Sequence, residues 1–292
     1  MQSFDRKEIF TRLWDDVPNP KGVVQICHGL GEHSARYEDF AKFLNANGYI
    51  AFADDHRAHG YTDNGSGDCE GVPAVDTVQD LLFFSRWLRQ QYPDLPLIFF
   101  GHSYGSSLAH RFIQFPSDIC ACVMTGVNMM PHCMLAVMSS LMKLLQKKNP
   151  GKLMSMDSQA MNKRFPDRDV PHAWLTRNLE IRRAYAADPF CGTPTSLRFS
   201  YSMSEMMRQA TDPENLKKVR DNLPIGMFCG EEDSAGGFGK GPRTALKLYQ
   251  KYGKNVSLKL YPGARHEVLN EINKDEVYQD ILNFINAVVE RQ

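Results

Sequence analysis

Residues 101–105, GHSYG, set a serine between two glycines in G-x-S-x-G spacing, the pattern of a nucleophilic hydroxyl presented on a tight turn. An alcohol is a poor nucleophile at neutral pH. Ser103 would need an imidazole within hydrogen-bond reach, and a carboxylate to hold that imidazole in one tautomer. When a strand, sharp turn and helix carry the serine, the chain order is serine, then acid, then histidine. Of nine histidines, only His110, His132, His172 and His266 follow Ser103. His110 falls in the helix-like stretch after the turn, and His132 and His172 fall in a helical insertion. His266, in the loop YPGARHE, is therefore the expected base. The acid should close the strand before it, and IGMFCG (225–230) runs straight into Glu231-Glu232-Asp233. Asp233 is the expected acid, with Glu232 the next candidate. The chemistry such a set performs is acyl transfer through a covalent intermediate.

The elements that must position these groups can be read from the apolar pattern. Leu97-Ile98-Phe99-Phe100 precedes the turn as a buried strand, and Ser106 to Phe115 follows it with Leu108, Phe112 and Phe115 at helical spacing. Gly101 and Gly105 supply room where the backbone must pass close to its neighbours. Further strand-like runs occur at 23–29, 49–55, 121–126, 225–230 and 257–263, with an early one at Ile9 to Trp14. Helix-like segments separate most of them, and a last amphipathic helix carries Val277, Ile281, Phe284, Ile285 and Val288. Alternating strands and helices imply an α/β fold with a parallel sheet covered on both faces. Only the interval 127–208 breaks the alternation. It is expected to be a helical cap or lid inserted into a core domain made of 1–126 and 209–292.

A tetrahedral intermediate also requires two N–H donors aimed at its oxygen. One should be the backbone N–H of Tyr104, directly after the nucleophile. The other should come from the glycine-bearing loop HGLGEH (28–33), with Leu30 the expected donor through its main chain. His28, His33, His56 and His59 cluster nearby in sequence, but their spacing is too loose for a zinc site. Local hydrogen bonding that fixes these loops is their expected role, and neither a metal nor a cofactor is expected.

Composition sets the outer limits. The 292 residues carry 34 Lys plus Arg against 34 Asp plus Glu, so no overall charge calls for nucleic acid. No run approaches the ~20 apolar residues of a membrane-spanning helix, and the opening MQSFDRKEIF lacks the pattern of a secretory leader. A cytoplasmic protein is expected. The seven cysteines include no C-x-x-C pair, and they read as reduced core residues rather than disulfides or zinc ligands.

Six segments together resemble the monoglyceride lipase and lysophospholipase branch of the α/β-hydrolases, also labelled serine-aminopeptidase-like. They are HGLGEHSARY (28–37), DHRAHG (55–60), GHSYGS (101–106), DPFCG (188–192), GEED (230–233) and YPGARHEVLNE (261–271), and they span nearly the whole chain in the order of that family. The resemblance implies the α/β-hydrolase fold, with a mostly parallel eight-stranded sheet and a helical cap after the sixth strand. It implies triad roles for Ser103, Asp233 and His266, and supports Leu30 and Tyr104 as oxyanion donors. Ala58 stands where the family usually has glycine, Ser234-Ala235 replaces the more usual Pro-Val, and the first strand looks abbreviated.

The implied substrate is a small ester, of monoacylglycerol or lysophospholipid type. Eleven of fourteen methionines lie between 129 and 207, suited either to lining an acyl channel or to filling the core of the cap. Residues 131–208 hold twelve Lys or Arg against six Asp or Glu, a bias that solvated helix faces explain but that also suits an anionic head group or transient membrane-surface contact. An aminopeptidase or amidase, a thioesterase and a ligand-binding protein on the same fold are the competing readings.

Overall fold

The computed structural model describes residues 1–155 and 158–291. Seven strands form the main sheet: β1 (Thr11–Trp14), β2 (Gly22–Cys27), β3 (Tyr49–Asp54), β4 (Leu97–His102), β5 (Ile119–Thr125), β8 (Ile225–Gly230) and β9 (Val256–Tyr261). Their spatial order is β1-β3-β2-β4-β5-β8-β9, with β1 antiparallel to β3 and every other pair parallel. The C-terminal ends of β2, β4, β8 and β9 therefore share one rim.

Side chains alternate across the sheet as a two-residue period requires. Val23, Cys27, Phe52, Phe99, Cys122 and Met124 enter one core, which is covered by α2 (Pro73–Gln91), α3 (Tyr104–Phe112) and α9 (Lys240–Lys251). Val24, Ile26, Ala53, Phe100, Ala121 and Val123 enter the other, under α1 (Glu38–Ala46) and α10 (Lys274–Val289). Because both faces are covered, every residue of β2, β3, β4 and β8 is buried.

The implied eight strands are seven here, and the insertion follows the fifth strand rather than the sixth. The cause lies in residues 1–10. Gln2 and Glu8 make only an isolated antiparallel bridge, around a turn where Arg6 has φ 68°, and Ile9 is buried in the core before β1 starts at Thr11. That hairpin is too short to add a strand to the sheet edge.

Between β5 and β8 lie α4 (His132–Gln146), β6 (Leu153–Met154), α5 (Ser158–Asn162), α6 (Leu179–Ala187), β7 (Thr195–Ser196), α7 (Leu197–Ala210) and α8 (Pro213–Leu216). β6 and β7 pair antiparallel, a ribbon that sequence patterning misses because two residues cannot display an alternation. The Ser196 hydroxyl caps α7 by accepting the Phe199 N–H at 3.0 Å. Phe199, Met206 and Met207 then carry α7 into the core beside α2 and α3. Of the clustered methionines, Met156 lies outside the described residues. Cys27, Cys122 and Cys229 are buried as expected, but Cys133 is exposed at the start of α4, and Cys69, Cys120 and Cys191 are only partly covered.

Candidate active site

Ser103 occupies the single residue between β4 and α3, with φ 54° and ψ −113°. A non-glycine residue in this region is strained by on the order of 1–3 kcal/mol and persists only where its surroundings over-determine it. Here the surroundings do. The Ser103 N–H donates to Thr125 O at 2.9 Å, and the Ser106 hydroxyl donates to Ser103 O at 2.6 Å. A Cβ on Gly101 would lie 2.4 Å from Gly105 O, and one on Gly105 would lie 2.0 Å from Cys27 O. Both glycines are thus fixed by the close passage of α3 over β4 and β2.

His266 follows β9 and Asp233 follows β8, so parallel strands deliver both to the rim that holds Ser103. His266 Nε2 lies 2.8 Å from Ser103 Oγ, and His266 Nδ1 lies 2.8 Å from Asp233 Oδ2. The second carboxylate oxygen of Asp233 accepts the Gly236 N–H at 3.0 Å. Asp233 is buried, whereas Glu231 and Glu232 are exposed, which separates the two candidate acids. Burial pushes the His266 pKa down, but the Asp233 carboxylate outweighs it, aided by Glu267 and Glu32, and the net value is above the ordinary 6.5. Trp174 lies against the imidazole, with ring centroids 4.9 Å apart, and its carbonyl accepts the His266 N–H at 3.3 Å.

Leu30 and Tyr104 line the same cavity of about 150 Å3 as Ser103 and His266. Neither of their backbone N–H groups meets an acceptor among the described residues. The orientation of Leu30 follows from its neighbour. His28 Nδ1–H donates to Gly29 O at 2.7 Å, while His28 Nε2 accepts the His56 N–H at 2.9 Å. In a trans peptide the carbonyl and the next N–H point in opposite directions, so pinning Gly29 O turns the Leu30 N–H away from His28. His56 is in turn paired with Asp54 at 2.7 Å, and its ring stacks on that of His28 at 3.8 Å. Burial and the neighbouring histidines hold His28 well below the usual imidazole range, in keeping with a neutral ring that donates once and accepts once.

Several residues around the site have no role that the sequence alone assigns. Arg36 donates to both Glu267 oxygens at 2.7 Å and also pairs with Glu32, while Glu32 accepts the Tyr37 hydroxyl at 2.7 Å. The loop of Leu30 and the loop of His266 are thereby joined by buried ion pairs. The H-E dipeptide at 266–267 is a sequence signal for this, but its partner lies 231 positions away. Trp174, Leu175, Met203 and Met207 supply most of the apolar wall, with Tyr185 beside them. Burial also lowers the pKa of His102, beside Ser103 in the chain, to about 4, so a neutral ring accompanies that serine.

The family described as "Serine aminopeptidase, S33" matches residues 18–273 of the chain. A monoacylglycerol lipase of Mycolicibacterium smegmatis is 26% identical over 283 residues, covering 94% of this chain and 91% of that protein. A solved structure described as a lipase in open form is 28% identical with a TM-score of 0.88, over 99% of this chain and 97% of the other. A thermostable carboxyl esterase from Bacillus coagulans, solved in complex with glycerol, is 29% identical with a TM-score of 0.85, over the same shares of the two chains.

Proposed function

The chain belongs to the S33 serine aminopeptidase family, and on that premise we propose that it is an ester hydrolase acting through Ser103, His266 and Asp233 on monoacylglycerol-type lipid esters. The observation that carries this reading is the pair of 2.8 Å contacts running from Asp233 through His266 to a serine held at φ 54°. Ser103 Oγ attacks the ester carbonyl carbon while His266 Nε2 takes the hydroxyl proton, and Asp233 stabilises the resulting imidazolium. The carbonyl oxygen becomes an oxyanion held by the Leu30 and Tyr104 N–H groups. His266 returns the proton to the departing alcohol, leaving an acyl group on Ser103. Water, deprotonated by the same imidazole, then releases the acid.

The apolar wall of Leu30, Trp174, Leu175, Met203 and Met207 suits an acyl chain rather than a peptide. An aminopeptidase would require a carboxylate free to hold the substrate amine. Glu32 and Glu267 reach the cavity, but both are committed to Arg36, which speaks against that reading. We read 127–208 as a cap over the site. Its helix α4 exposes Met134, Val137, Leu141, Leu144 and Leu145 beside Lys143, Lys147 and Lys148, a face suited to the surface of an anionic lipid aggregate.

Rates on monoacylglycerols of graded chain length, set beside a lysophospholipid, a thioester and an aminoacyl amide, test the assignment. Fastest turnover of a monoacylglycerol supports it. Faster turnover of the amide overturns it.

A further inference from the structure

The loop that carries Leu30 is joined to the segment after α6 by a seam of polar contacts. The Gly192 N–H donates to Gly31 O at 2.8 Å, the Tyr185 hydroxyl donates to the same carbonyl at 3.1 Å, and His33 Nε2 faces Asp188 Oδ2 at 2.9 Å. At this seam a nitrogen of His33, a carboxylate oxygen of Asp188 and Cys191 Sγ all lie within 4.8 Å of one another. We propose that His33, Asp188 and Cys191 form a binding site for a thiophilic divalent cation of the zinc class, clamping the oxyanion loop to the inserted segment.

The donor set selects the ion. A thiolate, an imidazole and a carboxylate suit zinc or cobalt, whereas magnesium and calcium prefer oxygen alone. With bonds of about 2.3 Å to sulfur and about 2.0–2.2 Å to nitrogen and oxygen, tetrahedral ligand atoms sit about 3.3–3.8 Å apart, so the 2.9 Å His33–Asp188 edge opens slightly to admit the ion while the wider edges close by about 1 Å at most. Three protein ligands leave a fourth position for water.

His33 is 5% exposed, its ring meets that of Phe190 edge-on with centroids 5.7 Å apart, and its Nδ1 has no hydrogen-bond partner among the described residues. Asp188 and Cys191 are partly exposed, which gives the ion a path in. On binding through Nε2, the ring proton moves to Nδ1, the Cys191 thiol proton passes to solvent, and the dication meets one thiolate and one carboxylate. One proton is released, no group is oxidised, and the occupied site is neutral. The three residues are 155 and 3 positions apart along the chain, a spacing that no local sequence pattern reports.

The site stands apart from the identity of the ester, and its test is spectroscopic. Cobalt(II) added to the chelator-treated full chain should give a thiolate-to-cobalt charge-transfer band that saturates at one equivalent, with one proton released per ion. Cys191→Ser should abolish the band, Asp188→Asn should weaken binding by more than about tenfold, and Cys133→Ser should leave it intact. Zinc should raise the melting temperature of the parent but not of Cys191→Ser, with the two melting alike when metal-free. No band in the parent, or a band that survives Cys191→Ser, overturns the site.

Discussion

At the scale of single residues, the strain at Ser103 and the charge behind His266 lead to measurable outcomes. Replacing Ser103 with alanine should lower turnover on the order of 10^6-fold and abolish labelling by an organophosphonate, with an unchanged circular dichroism spectrum. Replacing it with glycine should abolish turnover equally, yet raise stability in urea by about 1 kcal/mol, since glycine adopts φ 54° without steric cost. A general base must be deprotonated to act, so kcat/KM should fall as pH drops through the His266 pKa, with an inflection above 6.5. Asp233→Asn removes the charge that raises that value. It should lower kcat about 10^4-fold and move the inflection of the residual activity to lower pH, measured as a full pH profile.

Elements set the next level of constraint. Helix α3 approaches β2 so closely that Gly105 admits no side chain, and Gly105→Ala should destabilise the fold by about 2 kcal/mol or more in chemical denaturation. Helix α4 makes a separable prediction, because its apolar stripe points outward. Changing Val137, Leu141 and Leu144 to glutamine should reduce binding to anionic vesicles in a sedimentation assay while leaving hydrolysis of a soluble aryl ester unchanged. Equal loss of both would mean that the stripe serves the site itself rather than a lipid surface.

Over the whole molecule, what could be read from sequence depended on how far apart the cooperating residues lie. The strand and helix alternation was legible because burial on both faces leaves uninterrupted apolar runs, as in Leu97–Phe100. That Ser103, His266 and Asp233 meet could be anticipated because each follows a strand, and parallel strands bring their C-terminal ends to one rim. Sequence placed Asp233 ahead of Glu232, and the burial of the one and the exposure of the other agree with that order. The ion pair of Arg36 with Glu267, and the wall formed by Trp174 and Met203, join segments far apart in the chain, a partnership that no local spacing reports. The shortened start was legible as a single strand-like run, Ile9 to Trp14, before residue 23, whereas the isolated bridge of Gln2 with Glu8 was not, because one pair of residues displays no alternation.

Because Ser103, His266 and Asp233 gather at the rim where the parallel strands end, the opposite rim, where those strands begin, carries none of the three. Gly253, in the turn that leads into β9, has open space around it and φ 68°. A short glycine-rich tether inserted at that turn would anchor the protein to a bead or fibre with its cavity facing the bulk phase. Immobilised in that way it should hydrolyse soluble esters at the rate of the free protein.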